Sequence, residues 1–294
     1  MAEKDLSFYS AGLKLAATLY TPDSGAAKKN LPAIVLCHGL RCNRKIVLPA
    51  FAKAFVAQGF AAFAFDYRGF GESEGKKWRL IARERVEDIV AATTFLGLQP
   101  EVDASRIALF GISYGAANAI SAAAIDPRPR AVVAQGGFGD GDRWLRVGRP
   151  LWEYWQFRKR IEDDRARRVV TGESEYVDAF EIIRPTPAEE AYRTGAATKA
   201  LTVEMPLETA DDLLTYKPEL DVDRIAPRPL FVIGAELDYI VNVEESHRLY
   251  EKAREPKRLH ILAGQSHTEP YSKGLDEVVT LSSQFLHESM KAQA

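Results

Sequence analysis

The chain has 294 residues, of which 46% are hydrophobic and 27% charged, a composition typical of a globular protein with a sizeable buried core. Its formal net charge of −2 gives no electrostatic reason to expect nucleic acid or an anionic membrane as a partner. No apolar run approaches the roughly 20 residues of a transmembrane helix, and the first residues lack the apolar core of a secretion signal. We therefore expect a cytoplasmic protein without a membrane partner, whose two cysteines, Cys37 and Cys42, are reduced thiols.

Predicted strands and helices alternate over the first part of the chain. Two strand patterns meet at Ala11-Gly12 and predict a hairpin over 6–20. Short continuous apolar runs follow, typical of strands buried on both faces; they cover 33–37, 60–65, 107–110 and 131–134. Between these runs, apolar residues at helical spacing predict helices near 46–56, 80–98 and 114–125. This order predicts a parallel sheet with helices on both faces.

The alternation stops near Gly136 and returns after Tyr216. Between them the pattern predicts only helical stretches and no buried strand, with helices starting at Pro150 and near Pro187 and Pro206. The later predicted elements are a strand, a helix, a strand and a helix, at 230–233, 244–252, 259–262 and 275–290. We expect an α/β core formed by residues 1–135 and 218–294, interrupted by a helical insertion at 136–217.

The segment Gly111-Ile112-Ser113-Tyr114-Gly115 lies between a predicted strand and a run of small residues that predicts a helix. A G-x-S-x-G sequence at such a junction exposes the serine hydroxyl, and the helix N-terminus faces the point where negative charge develops. Gly111 and Gly115 have no side chain to block the close approach of strand and helix. We interpret Ser113 as a catalytic nucleophile; the alternative is a chance match to a short motif.

A serine nucleophile needs a base and an acid that orients the base. Of the five histidines, His267 is the one that lies in a loop just after a buried strand, where the ligand crevice of an open α/β sheet is found. The alternative is an exposed loop histidine. Asp238 follows the strand at 230–233 and is the predicted acid, with Glu236 as its nearest rival. The order Ser113, Asp238, His267 is the one expected on this architecture.

Two backbone N–H groups are needed to stabilise a tetrahedral oxyanion. The N–H of Tyr114, directly after the nucleophile, is one candidate. The second is expected in the loop after the strand at 33–37, with Leu40 as first choice and Arg41 as second. His38 ends that strand, and we expect its ring to order the loop by hydrogen bonding.

These residues resemble the α/β-hydrolase family. The matching segments are His38-Gly39, Asp66-Tyr67-Arg68-Gly69-Phe70-Gly71-Glu72-Ser73, Gly111 to Gly115, Leu237-Asp238 and Ser266-His267. The stretch at 102–115 is similar to the dienelactone-hydrolase and prolyl-peptidase-like branches and to some polyketide-release hydrolases, although dienelactone hydrolases use a cysteine nucleophile and this chain has Ser113. The resemblance implies an α/β-hydrolase fold, a mostly parallel doubly wound sheet, with the insertion at 136–217 as a helical lid over the site.

The first half of the predicted lid is rich in aromatic and arginine side chains. One interpretation is that Trp144, Trp152 and Trp155 line an acyl pocket while a lid arginine binds a substrate carboxylate. The other is that the aromatics pack on the core and the charges face water. Exposed tryptophans would also suit a dimer face, so a homodimer is a further expectation.

Our main hypothesis is a serine hydrolase that cleaves the carboxylic ester of a small-molecule acyl substrate through an acyl-enzyme, with no metal or organic cofactor. The alternatives are a thioesterase, an amidase or an acyltransferase in a biosynthetic pathway, and a hydrolase of C–C bonds. A non-enzymatic receptor on the same fold is the alternative from another class, and an intact triad argues against it. The same triad serves all the enzymatic alternatives, so the fold cannot choose among them.

Overall fold

The computed structural model describes residues 1–23, 30–184 and 203–291. The helix start expected near Pro187 lies outside these residues. In chain order the strands are β1 Ala2–Ser10, β2 Leu13–Thr21, β3 Leu31–Cys37, β4 Ala61–Phe65, β5 Val102–Ile112, β6 Val132–Gln135, β7 Tyr176–Asp178, β8 Glu204–Pro206, β9 Leu230–Ala235 and β10 Lys257–Leu262. The helices of the same residues are α1 Leu48–Ala57, α2 Ala82–Gly97, α3 Tyr114–Ile125, α4 Gly141–Arg146, α5 Leu151–Thr171, α6 Ala179–Ile182, α7 Glu208–Leu213, α8 Val243–Lys252 and α9 Leu275–Ser289.

Eight strands form one sheet in the order β1-β2-β4-β3-β5-β6-β9-β10. The pairs β1–β2 and β2–β4 are antiparallel, and every other neighbouring pair is parallel. The β1–β2 hairpin turns at Ala11 and Gly12, as predicted. Because β3, β5, β6, β9 and β10 run in the same direction, their carboxyl ends lie along one edge of the sheet.

Both faces of the sheet are covered, which explains the continuous apolar strands. Along β5, Ile107 and Leu109 face one core with α2 and α3, whereas Ala108, Phe110 and Ile112 face a second core with α1 and α9. The mostly parallel, doubly wound architecture predicted from the sequence is confirmed. Across the described ranges, none of the helices is both long and apolar enough to cross a bilayer.

The segment between β6 and β9 departs from the prediction in one respect. It was expected to be helical only, but β7 and β8 pair as a small antiparallel sheet in which Val177 and Met205 are buried. Pro206, expected near a helix start, ends β8, and α7 begins two residues later at Glu208. Strands of three residues are too short for an alternating pattern to be recognised in the sequence. The division into core and lid stays a prediction.

Candidate active site

Ser113 lies at the turn between β5 and α3, on the carboxyl edge of the sheet. Its backbone has φ 53° and ψ −124°, a conformation that non-glycine residues rarely adopt. A backbone hydrogen bond to the neighbouring strand stabilises this strained conformation: Ser113 N donates to Gln135 O at 2.8 Å. A Cβ on Gly111 would lie 2.3 Å from Gly115 O, and one on Gly115 would lie 2.1 Å from Cys37 O. Both glycines of the motif are therefore required by close backbone packing.

The structure brings Ser113, His267 and Asp238 together in one buried row. His267 Nε2 lies 3.0 Å from Ser113 Oγ, and His267 Nδ1 lies 2.6 Å from Asp238 Oδ2. The other carboxylate oxygen, Asp238 Oδ1, accepts the N–H groups of Ile240 at 2.9 Å and Val241 at 2.8 Å. Because an ionised carboxylate only accepts, Nδ1 carries the imidazole proton and the lone pair of Nε2 points at the serine.

The loops that carry Asp238 and His267 are hydrogen-bonded to each other. Leu237 N donates to Gln265 O at 2.8 Å, which joins the loop after β9 to the loop after β10. Glu236, the rival acid, is exposed, and its Oε2 accepts Gly264 N at 2.7 Å. Glu236 therefore braces the histidine loop, and Asp238 is the carboxylate that contacts the ring of His267.

The loop after β3 is shaped around the buried ring of His38. Burial holds the pKa of His38 well below its usual value, so the ring is neutral. His38 Nδ1 lies 2.8 Å from Gly39 O and 3.1 Å from Arg85 Nη2, so the Gly39 carbonyl group points towards the His38 ring. In a trans peptide the C=O and the following N–H point in opposite directions, so Leu40 N–H points away from His38. Leu40 and Ser113 line the same cavity.

Tyr114 is the first residue of α3, so its N–H has no partner within the helix. Its side chain is buried and packs against Phe138, Trp144 and Tyr216. Only its backbone is therefore suited to contact a substrate. The roles of Tyr114 and Leu40 as oxyanion donors stay predictions, consistent with these positions.

Arg85 is a residue near the site that the sequence analysis missed. It projects from α2 and is only 1% exposed. Its Nη2 lies 3.4 Å from both His38 O and Gly39 O, and its guanidinium stacks on the Tyr67 ring with Cζ 3.7 Å from the centroid. A cation so placed favours the inward orientation of both carbonyl groups. The available signal was a charged residue in a helical row of buried positions that includes Ile89.

A buried ion pair also holds this loop. Arg44 N and Arg44 Nη1 donate to Asp66 at 2.6 Å and 2.5 Å, and both side chains are almost wholly buried. Arg68 pairs in turn with Asp88 of α2 at 2.7 Å. The glycine-rich turn after β4 therefore braces the loop of Leu40.

The two cysteines are free thiols, as predicted. Burial raises the pKa of Cys37 to about 12. Cys42 lines the cavity beside Ser113, and burial raises its pKa as well. The thiolate is the reactive form of cysteine, so neither thiol is activated as a nucleophile at neutral pH.

A cavity of about 170 Å³ opens above Ser113 and His267. The side chains that line it are mainly apolar, and those from the described residues are Leu40, Arg41, Cys42, Ile46, Val47, Ile112, Ser113, Trp144, Ile183, Ile240, His267, Thr268 and Tyr271. Ile183 and Trp144 belong to the segment between β6 and β9, so this segment forms part of the cavity wall. The indole N–H of Trp144 donates to Ile240 O at 2.8 Å, which fixes its ring.

The structure corrects the prediction that Trp152 and Trp155 line this pocket. Their side chains are 64% and 56% exposed, and neither is among the residues that surround the cavity. The buried side of α5 is instead formed by Tyr154, Phe157 and Ile161. The two tryptophans lie on the opposite side of the helix, where the dimer-face interpretation stays a prediction.

The arginine that lines the cavity among the described residues comes from the loop after β3. Arg41 stacks on the ring of Phe180, with Cζ 3.9 Å from the centroid. Arg143, from the segment between β6 and β9, forms ion pairs instead, with Glu219 at 2.6 Å and also with Glu245. Arg143 therefore has acidic partners and is not among the residues that line the cavity.

The family follows from the sequence as well as the fold. A family model described as serine aminopeptidase, S33, matches residues 28–269. The chain therefore belongs to this family and is an α/β-hydrolase enzyme, which confirms the resemblance predicted from its motifs. An uncharacterized 31.7 kDa protein of the traX-finO intergenic region of Escherichia coli is 31% identical over 250 residues, 84% of this chain and 87% of that protein.

Two fungal proteins with named activities are also similar. The polyketide transferase grgF of Penicillium sp. is 27% identical over 273 residues, 90% of each protein. The crystal structure of GrgF from Penicillium sp. sh18 superposes with a TM-score of 0.83 at 25% identity, over 99% of both chains. The thiohydrolase aneE of Aspergillus aculeatus is 39% identical over 124 residues, 42% of this chain and 37% of that protein.

Proposed function

We propose that the protein is a serine hydrolase that cleaves a carboxylic ester through an acyl-enzyme on Ser113. The observation that carries this proposal is the hydrogen-bonded row from Ser113 Oγ through His267 to Asp238. Ser113 Oγ attacks the carbonyl carbon as His267 Nε2 takes its proton, and the N–H groups of Tyr114 and Leu40 stabilise the oxyanion. His267 then gives the proton to the departing alcohol oxygen, while Asp238 stabilises the imidazolium.

Water completes the cycle. Nε2 of His267 takes one proton from water, the water oxygen attacks the acyl carbon, and the bond to Ser113 Oγ breaks as the proton passes to the serine. The products are one carboxylic acid and one alcohol, and the enzyme regains its starting protonation. The apolar walls of the cavity, including Ile46, Val47 and Ile183, suit an apolar acyl group.

A second candidate keeps the acyl-enzyme and changes the bond cleaved or the acceptor. Two relatives favour it by their names, the polyketide transferase grgF and the thiohydrolase aneE. A thioester would acylate Ser113 by the same steps, and an alcohol or another nucleophile would replace water in the second half. Amide and C–C bond cleavage use the same three side chains and belong in the same test.

The test is a substrate panel of a p-nitrophenyl ester, an acyl thioester, an anilide and a vinylogous diketone. It is run with wild type, Ser113→Ala and Ser105→Ala, the last being an exposed serine whose hydroxyl bonds Asp103. We expect Ser113→Ala to lose at least about a thousandfold in kcat, and Ser105→Ala to match wild type. Faster turnover of the thioester would favour the second candidate.

Two results would refute the proposal. One is ester hydrolysis by Ser113→Ala at the wild-type rate. The other is failure of a fluorophosphonate to label Ser113 in the folded protein, which would favour a non-enzymatic receptor.

A further inference from the structure

The hydroxyl of Tyr271 is a second oxygen beside the catalytic base. It lies 3.3 Å from His267 Nε2, the same nitrogen that faces Ser113 Oγ at 3.0 Å. Tyr271 also lines the cavity above Ser113. Two hydroxyl groups therefore share one imidazole nitrogen, and only that of Ser113 is used by the mechanism given above.

The position of the Tyr271 ring is set by its own turn and by its neighbours. It ends a short 3₁₀ turn, Glu269–Tyr271, and its N–H donates to Thr268 O at 3.0 Å. The ring stands edge-on to the imidazole of His267, with centroids 5.8 Å apart, and edge-on to Phe51 at 6.4 Å. These contacts hold the hydroxyl at the edge of the imidazole.

The chemistry of Nε2 limits what this hydroxyl can do. Because Nδ1 carries the proton donated to Asp238, Nε2 of the resting enzyme has one lone pair for two hydroxyl donors. Once Ser113 is acylated its Oγ has no proton to donate, and the incoming nucleophile must donate to Nε2 in place of Ser113. That nucleophile must lie within hydrogen-bond distance of Nε2, and so next to the Tyr271 oxygen.

We infer that Tyr271 forms the acceptor subsite of the enzyme and directs the acyl group to water in preference to an alcohol. This inference rests on the proposed acyl-enzyme. A water molecule has two O–H groups: one gives its proton to Nε2, and the other can donate to the Tyr271 oxygen, which orients the attacking lone pair. An alcohol has a carbon in place of the second O–H, and that carbon would press on the tyrosine oxygen.

The proton balance of hydrolysis is unchanged by this role. Nε2 of His267 accepts the water proton and returns it to Ser113 Oγ as the acyl bond breaks. Tyr271 keeps its own proton throughout and acts by orienting the water. Removing its hydroxyl therefore removes one hydrogen bond from the hydrolytic transition state and opens room for an alcohol.

The experiment measures how the acyl-enzyme partitions between water and methanol. A p-nitrophenyl ester of a short fatty acid is turned over in buffer with added methanol, and the free acid and the methyl ester are quantified by chromatography. The proteins are wild type, Tyr271→Phe, Ser113→Ala, and Tyr9→Phe as a matched control at an exposed tyrosine of β1. Thermal melts establish that each variant is folded.

For Tyr271→Phe we expect formation of free acid to fall, and the ratio of methyl ester to acid to rise, by about three- to tenfold, the effect of one hydrogen bond. The rate of fluorophosphonate labelling at Ser113 should change less than the hydrolysis rate, and Tyr9→Phe should partition as wild type. A product ratio unchanged in folded Tyr271→Phe overturns the inference, as does a labelling rate that falls as much as hydrolysis. If wild type and Ser113→Ala form products equally, the proposed function itself fails.

Discussion

Replacing Asp238 by asparagine tests the direction of the hydrogen bonds in the proposed triad. The Oδ1 atom accepts two backbone N–H groups, from Ile240 and Val241, so in an asparagine this position must be the amide oxygen. The amide NH₂ then faces His267 Nδ1, where the carboxylate lies at 2.6 Å in the wild type. A donor at that point forces the imidazole proton onto Nε2, and a protonated Nε2 cannot accept the proton of Ser113.

The size of the loss follows from the alternative amide rotamer. To restore the productive tautomer, the side-chain carbonyl of the introduced asparagine would have to turn towards His267, which leaves both backbone N–H groups facing an NH₂ donor. Two buried donors without partners cost about 1–3 kcal/mol each, or about 2–6 kcal/mol together. At about 1.36 kcal/mol per tenfold, kcat should fall by about 30-fold to 10⁴-fold.

The assay is steady-state hydrolysis of a p-nitrophenyl ester at neutral pH, with Glu236→Gln as the matched control. Glu236 is exposed and bonds Gly264 N rather than the imidazole, so its amide should keep kcat within about threefold, the effect of at most one surface hydrogen bond. A loss of less than tenfold in Asp238→Asn, with the fold intact, would refute the reasoning. A larger loss in Glu236→Gln than in Asp238→Asn would show that the acid had been misassigned.

Two further substitutions test the parts that hold Ser113 and the loop after β3. In Gly115→Ala the new methyl would lie 2.1 Å from Cys37 O, so α3 must move from β3; the free energy of unfolding should fall by about 3 kcal/mol, measured by urea denaturation. Gly97→Ala, whose nearest atom would be 3.5 Å away, should change it by less than about 1 kcal/mol, and equal effects would contradict the packing argument. Arg85→Met should lower kcat about tenfold with little change in KM, because oxyanion donors act mainly in the transition state; an unchanged kcat in steady-state assays would exclude a positioning role for Arg85.

Much of the fold could be predicted because its elements have strong local patterns. The helix predicted at 114–125 is observed as α3. The sequence favours a helix here because a run of small residues follows a strand and a tight glycine turn. The strand predicted at 107–110 extends over Val102–Ile112, because its polar first half lies outside the apolar run that the pattern detects. The pairing of β7 with β8 could not be predicted, because two strands of three residues are stabilised by each other and by burial rather than by local pattern.

By itself, the amino-acid sequence determined the tight turn at Ser113, the chain order of Ser113, Asp238 and His267, and the alternation of strands and helices that makes their loops share one edge. These features are local or depend only on strand direction, so they can be predicted from the sequence without knowing how distant segments pack. Tertiary structure alone decided which tryptophan reaches the cavity, that a buried Arg85 faces the carbonyl groups of the loop after β3, and that Tyr271 shares Nε2 with the serine. These depend on which side of a helix or loop meets a distant surface, and that is set by packing between segments far apart in the chain.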